Sequence, residues 1–230
     1  MRSVVGQVVN LRPIANRPAE LFREPPPQTR TIINVATFHF RRLPHLHSVG
    51  QPIFLTWRLH GSLPPGRAFP AATSHGRAFV AMDRLLDTLR TGPLHLRRPE
   101  LARMVVESLR FHQEKLAHYE LHSYVVMPNH VHLLMTPQVP VSKVMQSLKR
   151  FTGLEGNRIL GVKGQAFWQD ESYDRLVRGR GEFERIVQYI EMNPVKAGLA
   201  AAPEEFAWSS ARPIDNRPQV DNLPHDAPQM

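Results

Sequence analysis

The chain has 230 residues, a formal net charge of +9, a pI of about 10.6, 21 Pro and no Cys. The length suffices for one sizeable domain with extended ends, and the charge favours a polyanionic partner such as nucleic acid, although an Arg- and Pro-rich bias would give the same charge. The absence of Cys excludes disulfides and thiolate metal sites. No apolar run approaches the ~20 residues that span a bilayer, and the amino terminus lacks the apolar core of a secretory signal. We therefore predict a cytoplasmic protein with no membrane partner.

The first 48 residues differ in composition from the rest of the chain. They are rich in Arg, and the run Pro25-Pro26-Pro27 favours an extended backbone. We predict a basic, disordered arm over residues 1–48, a folded domain over 49–211 and a disordered tail over 212–230. The arm either follows DNA phosphates or is an extension without a specific role.

The first predicted elements are a strand, a loop and two helices. Residues 52–60 are rich in β-branched and aromatic side chains, which is typical of a strand. Residues 61–76 hold Pro, Gly and Ser and predict a loop. Apolar residues at helical spacing predict a helix over 79–89, and a second helix follows over 99–111, with Pro99 near its first turn.

The second half of the chain predicts two strands, a helix, an extended segment and a last helix. One strand begins at Leu121, the chain turns at Met127-Pro128-Asn129, and the next strand covers 130–135. A helix over 141–151, an extended segment within 165–178 and a helix over 181–192 follow, the last stopped by Asn193-Pro194. This order predicts an α+β fold: a ferredoxin-like (RRM-like) antiparallel sheet with helices packed on one face.

His130 and His132 flank one apolar residue, Val131, within the 130–135 strand. Because side chains alternate along a strand, both imidazoles point to the same face. Two such imidazoles form half of a divalent-metal site, although many His-x-His pairs bind no metal. His45-Leu46-His47 has the same spacing, but no apolar strand surrounds it to hold the two rings together.

The last predicted helix carries Tyr189 and Asn193 on one flank. At about 100° per residue, its apolar residues form a stripe roughly 100° wide, and the two polar residues lie together beside it. Asn193 is able to complete a metal site through its amide oxygen, and Tyr189 to attack a metal-polarised electrophile. The alternatives are a packing tyrosine and an asparagine that only ends the helix.

Three sequence blocks resemble the single-tyrosine HUH transposases, and within them the REP-associated tyrosine transposases. The blocks are Val-Val-Met-Pro-Asn-His-Val-His-Leu-Leu (125–134), Phe-Trp-Gln (167–169) and Gln-Tyr-Ile-Glu-Met-Asn-Pro-Val-Lys-Ala-Gly-Leu (188–199). They occur in the family's order, and the likeness covers roughly residues 50 to 211. The long arm and the 61–76 loop depart from a minimal family member.

The resemblance implies a role for each site residue. His130 and His132 would bind a divalent cation, with Asn193 as the third ligand and Tyr189 as the nucleophile. Tyr173, after the Phe-Trp-Gln block, is the second candidate nucleophile. The family acts on single-stranded DNA beside small hairpins, so we expect hairpin DNA as the partner, with the protein a monomer or a homodimer.

The expected reaction is a transesterification in which Tyr189 attacks a DNA phosphate, giving a 5′-phosphotyrosine and a free 3′-hydroxyl. Mg²⁺ or Mn²⁺ suits a site that holds phosphate oxygens. The candidate DNA contacts are basic residues on the 141–151 helix and before the last helix, namely Lys143, Lys149, Arg150, Arg175, Arg178 and Arg180. Trp168 either stacks on an unpaired base or packs in the core.

Two other functions stay open. A metallohydrolase would use the same histidines to activate water, but it usually needs a carboxylate soon after the pair, and residues 133–140 contain none. A domesticated protein would bind hairpin DNA without cutting it.

Overall fold

The structure, a computed structural model of the chain, describes residues 40–41, 43–44, 49–63, 83–87 and 92–211. All of these residues belong to one compact unit. Most of the predicted arm, the predicted tail, most of the 61–76 loop and both ends of the 79–89 helix lie outside them, as does the His45–His47 pair. No helix in the described part of the chain has the length and apolar character needed to cross a membrane.

A four-stranded antiparallel sheet forms the centre of the fold. Phe40–Arg41 (β1) and Leu43–Pro44 (β2) pair separately as a short ribbon. The main strands are Ile53–Arg58 (β3), Tyr119–Val126 (β4), His130–Pro137 (β5) and Tyr173–Leu176 (β6), in the order β4-β5-β3-β6.

Three long helices accompany these strands, and residues 83–87, between β3 and the first of them, are also helical. Pro99–Glu114 (α1) lies between β3 and β4, Val141–Leu160 (α2) lies between β5 and β6, and Arg180–Lys196 (α3) comes after β6. The β-α-β-β-α-β order with the first strand beside the third is the ferredoxin-like arrangement. The predicted α+β class is confirmed.

The two faces of the sheet carry different helices. Val131, Leu133 and Met135 of β5 point into the main core, which α1 and α2 cover. His130 and His132 point to the opposite face, where α3 lies against β4 and β5. The expectation of helices on one face therefore holds for the two connecting helices, whereas α3 covers the other face. An apolar stripe shows that a helix is buried on one side, but not which face of a sheet it covers.

α3 continues beyond its predicted end and includes Pro194. A proline inside a helix lacks the N–H that would bond to the carbonyl four residues earlier. Here the next turn still forms, because the Ala197 N–H donates to the Asn193 carbonyl at 3.0 Å and the Leu199 N–H donates to the Pro194 carbonyl at 2.8 Å. The extra turn places Lys196 seven residues after Tyr189, on the same side of the helix.

α2 also extends beyond its predicted end and stops at Leu160, where Gly161, with a φ of +71°, forms a left-handed cap. Gly153 and Gly156 interrupt the apolar pattern after Phe151, which is why the sequence predicted an earlier end. Both glycines face the segment at 167–168. They let the helix approach the aromatic side chains of that segment closely.

Replacing Gly156 by Ala is expected to destabilise the protein. A Cβ there would lie 2.5 Å from Cε2 of the buried Phe167 ring. Overpacking of this kind costs about 1–3 kcal/mol, which outweighs the helix propensity of about 1 kcal/mol gained by Ala. The measurement is thermal unfolding followed by circular dichroism.

Gly153→Ala is the matched control. Its Cβ would lie 3.6 Å from Cδ1 of Trp168, an ordinary contact. This variant should be as stable as the parent or more stable. Equal melting temperatures for Gly156→Ala and Gly153→Ala would contradict the proposed packing of Phe167 against α2.

Candidate metal centre and its tyrosine

His130 and His132 converge on one point below α3. Both are fully buried, and their Nε2 atoms lie 3.1 Å apart. The other ring nitrogen of each is held: His130 Nδ1 lies 2.6 Å from Asn129 Oδ1, and His132 Nδ1 lies 2.7 Å from Thr56 Oγ1. Such second contacts orient metal-binding imidazoles. The strand alternation predicted this shared face, and the structure has it.

Asp83 lies beside the two imidazoles and was not predicted. Its Oδ1 is 3.3 Å from His132 Nε2 and 3.8 Å from His130 Nε2, and the carboxylate is buried. The three side chains are able to place ligand atoms within 4.8 Å of one another. Asp83 and Asp87 share one face of a helical segment, residues 83–87. That spacing was visible in the sequence, but nothing local connects it to histidines on a distant strand.

Asn193 completes the group from α3. It is fully buried, and its Nδ2 lies 3.3 Å from His132 Nε2. Rotation of the amide exchanges its nitrogen and oxygen, which would bring Oδ1 to the imidazole. The structure thus brings Asn193 together with both histidines.

The buried oxygens of this group fit a bound cation. Among the described residues, Asn193 Oδ1 and both carboxylate oxygens of Asp83 are buried without a hydrogen-bond donor. Buried polar atoms rarely stay unpaired. Two of the three separations within the Asp83–His130–His132 group, 3.1 Å and 3.3 Å, match the ~3.0–3.4 Å edges expected of a coordination shell with bonds of about 2.0–2.2 Å, and the third, from Asp83 Oδ1 to His130 Nε2, is longer at 3.8 Å. Two imidazole nitrogens, one carboxylate and one amide oxygen form a plausible donor set for a divalent metal.

The electrostatics favour the protonation states that a metal requires. Burial, together with His132, lowers the pKa of His130 to about 3, so its imidazole is neutral at pH 7. Burial acts to raise the pKa of Asp83, but the adjacent imidazoles, His132 first, hold that pKa below its ordinary value. Burial and the charge of Asp83 raise the pKa of Asp87 to about 7. Metal ligands must be neutral imidazoles and deprotonated carboxylates, as His130 and Asp83 are.

Tyr189 lies next to this group on the same side of α3. Its ring centroid is 5.7 Å from that of His132 and 6.1 Å from that of Phe54. The Lys196 ammonium lies over the same ring, 5.1 Å from its centroid. The helix turn beyond Pro194 creates this last contact. The structure therefore places the predicted tyrosine beside the predicted metal ligands.

Tyr173 lies on the same face of the sheet, at the β6 edge. It pairs with Thr56, the residue that holds His132, and its ring centroid is 6.4 Å from that of Phe54. Burial raises the pKa of its phenol, while Arg175 acts to lower it. The Tyr173 ring contacts Phe54, whereas the Tyr189 ring contacts both Phe54 and His132.

The three basic residues predicted as DNA contacts on α2 belong to the helix that packs on the sheet face opposite the histidines. They are Lys143, Lys149 and Arg150. Lys149 instead donates hydrogen bonds to the carbonyls of Gln169 at 2.9 Å and Asp170 at 3.0 Å. Lys149 therefore fixes the segment before β6, while Lys143 and Arg150 are exposed on the far side.

The remaining predicted DNA contacts have mixed surroundings. Arg175 pairs with Glu182, with its Nε 2.8 Å from Oε1, and Arg180 pairs with Glu184. Arg178 is exposed just before α3. Arg97, which was not singled out, lines a small cleft together with Asp87 and His130. It is an exposed guanidinium beside the candidate metal group.

Trp168 is a core residue. It is 6% exposed, and its indole N–H donates to Thr152 Oγ1 at 2.8 Å. Its ring meets those of Trp57 and Phe167 edge to face. Of the two alternatives given for Trp168, the structure shows the packing in the core.

Fold and site together define a class of protein: a ferredoxin-like domain with a buried His-x-His group and a helix-borne tyrosine on one sheet face. Residues 98–193 match the family model described as "Transposase IS200 like". The chain is therefore similar to this family over that segment, in agreement with the resemblance that its motifs carry. No curated protein shows significant similarity to the chain.

Two solved structures are similar over much of the chain. One is described as a REP-associated tyrosine transposase bound to a REP hairpin, with 18% identity, a TM-score of 0.48, and coverage of 84% of this chain and 99% of the other. The second is a putative transposase from Deinococcus radiodurans R1, with 18% identity, a TM-score of 0.29, and coverage of 62% and 89%. The fold assignment follows from the order of the strands in the sheet.

Proposed function

We propose that this protein is a metal-dependent single-stranded DNA endonuclease and strand transferase that uses Tyr189 as its nucleophile. The observation that carries the proposal is the contact of Tyr189 with His132, beside the buried carboxylate of Asp83 and the buried amide of Asn193. A tyrosine beside a metal group, within a segment similar to a transposase family, suits attack on a DNA phosphate. Residues 49–211 would form the catalytic domain, with residues 1–48 and 212–230 as flanking segments.

The roles of the residues follow from their positions. His130, His132, Asp83 and Asn193 would hold the cation, which when bound would neutralise charge on the phosphate oxygens. Tyr189 Oη would form a bond to phosphorus as the bond from phosphorus to the 3′ oxygen breaks. The products are a 5′-phosphotyrosine and a 3′-hydroxyl, and attack by a 3′-hydroxyl reverses the step without ATP. Lys196 would hold the Tyr189 ring from the other side, and Arg97 would contact the DNA backbone.

The donor set bears on the choice of metal. Carboxylate and amide oxygens suit Mg²⁺ and Mn²⁺, while imidazoles favour later transition metals over Mg²⁺. We propose Mg²⁺ or Mn²⁺ as the working ion, with Mn²⁺ bound more tightly. Hairpin-associated DNA is the proposed substrate, on the strength of the three sequence blocks.

A water-activating hydrolase is the second candidate, and one observation favours it. The sequence lacked a carboxylate near the histidine pair, but the folded chain supplies Asp83 and Asp87 from another element. Asp87 Oδ1 lies 3.7 Å from His130 Nε2, and its pKa of about 7 suits a general base. A hydrolase would release products without a covalent intermediate.

The deciding experiment is incubation with labelled single-stranded hairpin DNA and Mn²⁺ or Mg²⁺, followed by denaturing electrophoresis. We expect a protein–DNA adduct that resists denaturation. Cleavage without an adduct would favour the hydrolase, and binding without cleavage would favour a domesticated DNA-binding protein.

Removal of the metal is expected to separate cleavage from binding. EDTA should abolish the adduct, and added Mn²⁺ should restore it, while hairpin binding in a gel-shift assay persists because basic side chains supply much of the affinity. Mn²⁺ should also raise the melting temperature of the protein without DNA, since an ion that binds only the folded state stabilises it. Adduct formation at full rate in EDTA would contradict the metal's role.

A further inference from the structure

The side of α1 and α2 that points away from the sheet carries exposed apolar residues, and we call it the outer helix face. Five large apolar side chains are exposed among the described residues, and three of them lie here. Phe111 on α1 is 52% exposed, and Phe151 and Leu154 on α2 are 54% and 67% exposed. Single exposed apolar side chains are common, but a group of them on adjoining elements is typical of a protein contact site.

These three side chains lie along the groove between the two helices. The helices touch where His112 Nε2 lies 2.9 Å from Ser147 Oγ. Phe151 and Leu154 follow Ser147 by four and seven residues, so they share the flank of α2 that meets α1. The buried residues of α1 mark its sheet side, and a step of about 100° per residue then places Phe111 on the outer side, near the groove. We call these three apolar residues the apolar strip.

Opposite charges line the two sides of the apolar strip. Glu107 and Glu114 are exposed on α1, and Lys143 and Arg150 are exposed on α2. The members of each pair are seven residues apart, which is about two helical turns, so each pair forms a row along its helix. No ion pair joins any of the four side chains to another residue in the described part of the chain. The outer helix face therefore has an acidic row on one helix, a basic row on the other and apolar side chains between them.

The two charged rows also match in height along the helices. α1 leads from β3 to β4 and α2 from β5 to β6, and β3 and β5 are antiparallel, so the helices run in opposite directions. From the point where the helices touch, Glu107 and Arg150 lie about 7.5 Å and about 4.5 Å toward the same end. Glu114 and Lys143 lie about 3 Å and about 6 Å toward the other end. Each acidic residue is thus within about 3 Å of the height of a basic residue.

We propose that a second copy of this chain packs on the outer helix face, around a two-fold axis parallel to the helices. Such an axis places apolar strip on apolar strip, and it places α1 of each copy over α2 of the other at the same height. Glu107 then meets Arg150 of the other copy. Glu114 meets Lys143 in the same way. A two-fold axis across the helices would instead place each charged row on its own duplicate, which the repulsion between like charges disfavours.

Sedimentation equilibrium of the full chain, in EDTA and without DNA, measures this association. We expect a reversible dimer whose dissociation constant rises with salt, since screening weakens the contacts between the charged rows. Glu107→Lys combined with Glu114→Lys makes both rows basic and should weaken the dimer by at least about 30-fold, because each charged contact becomes repulsive. Lys143→Glu combined with Arg150→Glu makes both rows acidic and should weaken the dimer to a similar extent. A parent chain that stays monomeric at about 100 µM would overturn the inference.

A mixture of these two double variants is the decisive sample. Neither variant should dimerise well alone, but the basic rows of one face the acidic rows of the other. The mixture should therefore associate about as tightly as the parent chain. A mixture that stays monomeric would overturn the inference, and so would either variant if it dimerised as tightly as the parent.

Glu184→Lys combined with Glu204→Lys is the matched control. These two residues are exposed on α3 and just after it, and the substitutions change the net charge by the same amount as those in the basic-row variant. The control should dimerise like the parent chain. Loss of its dimer would show general repulsion between highly charged copies instead of a contact at the outer helix face, and would overturn the inference.

These measurements need neither metal nor DNA, so they test the outer helix face apart from the proposed function. A monomeric chain that forms the Tyr189 adduct would refute the second copy alone, and a dimeric chain without an adduct would refute the proposed nucleophile alone. Monomers whose hairpin binding is lost in Lys143→Glu combined with Arg150→Glu would overturn the inference and assign these two residues to DNA contact.

Discussion

Tyr189→Phe is expected to abolish the covalent protein–DNA adduct and to lower DNA cleavage by at least about 10³-fold. The substitution removes only the hydroxyl, and loss of a nucleophile is among the most costly changes in an enzyme. The ring that packs on Phe54 and His132 stays in place, so the fold and the hairpin affinity should be retained. Denaturing electrophoresis of labelled DNA measures the adduct, and a gel shift measures binding.

Tyr173→Phe is the matched control for this experiment. Tyr173 lies on the same sheet face and contacts the same Phe54 ring, but it stands at the β6 edge. Its substitution should leave the adduct within about a few-fold of the parent level, since it removes no reacting group. An adduct that survives Tyr189→Phe and disappears in Tyr173→Phe would transfer the nucleophilic role to Tyr173.

Asp83→Asn is expected to weaken binding of Mn²⁺ by at least about 100-fold. Loss of a residue that only orients a metal ligand weakens metal binding by up to about 100-fold, and loss of a ligand itself should cost at least as much. The carboxylate is buried, lies 3.3 Å from His132 Nε2 and has no hydrogen-bond donor among the described residues. Without metal, the adjacent imidazoles still compensate this charge, since they hold the pKa of Asp83 below its ordinary value. The variant should therefore be less stable than the metal-free parent at pH 7, and it should lose the increase in melting temperature that Mn²⁺ causes.

Asp87→Asn serves as the control for Asp83→Asn. Its carboxylate shares the same short helical segment, and its Oδ1 lies 3.7 Å from His130 Nε2. Asp87 does not belong to the Asp83–His130–His132 group, in which Asp83 Oδ1 lies 3.3 Å from His132 Nε2. Metal affinity in this variant should stay within about 10-fold of the parent value. Isothermal titration with Mn²⁺ measures both proteins. Full metal affinity in Asp83→Asn would show that Asp83 is not a ligand. The ligand set would then be the one predicted from the sequence: His130, His132 and Asn193.

Asp87→Asn also distinguishes the two proposed reactions, hydrolysis and attack by Tyr189. If the protein is a hydrolase that uses Asp87 as a base, Asp87→Asn should abolish cleavage while preserving metal affinity. If Tyr189 is the nucleophile, Asp87→Asn should still form the adduct. The same gel therefore distinguishes the two candidate functions without changing any metal ligand.

The sequence by itself determined which residues share a face. The alternation of β5 placed His130 and His132 together, and the helical spacing of α3 placed Tyr189 beside Asn193. The order of strands and helices also predicted the ferredoxin-like sheet, because each element is set by periodicity within a few residues. The motif blocks then indicated the transposase family, and the family match over residues 98–193 agrees.

Only the tertiary structure decided what each face meets. It put α3 over the histidines and α2, which carries Lys143, Lys149 and Arg150, on the other side of the sheet, and it buried Trp168. It also brought Asp83 to the imidazoles and carried α3 past Pro194 to Lys196. These outcomes depend on packing between elements that are distant in the chain, and local periodicity holds no information about a partner surface. For that reason the sequence predicted three ligands and a tyrosine, while the folded chain added the buried carboxylate beside them.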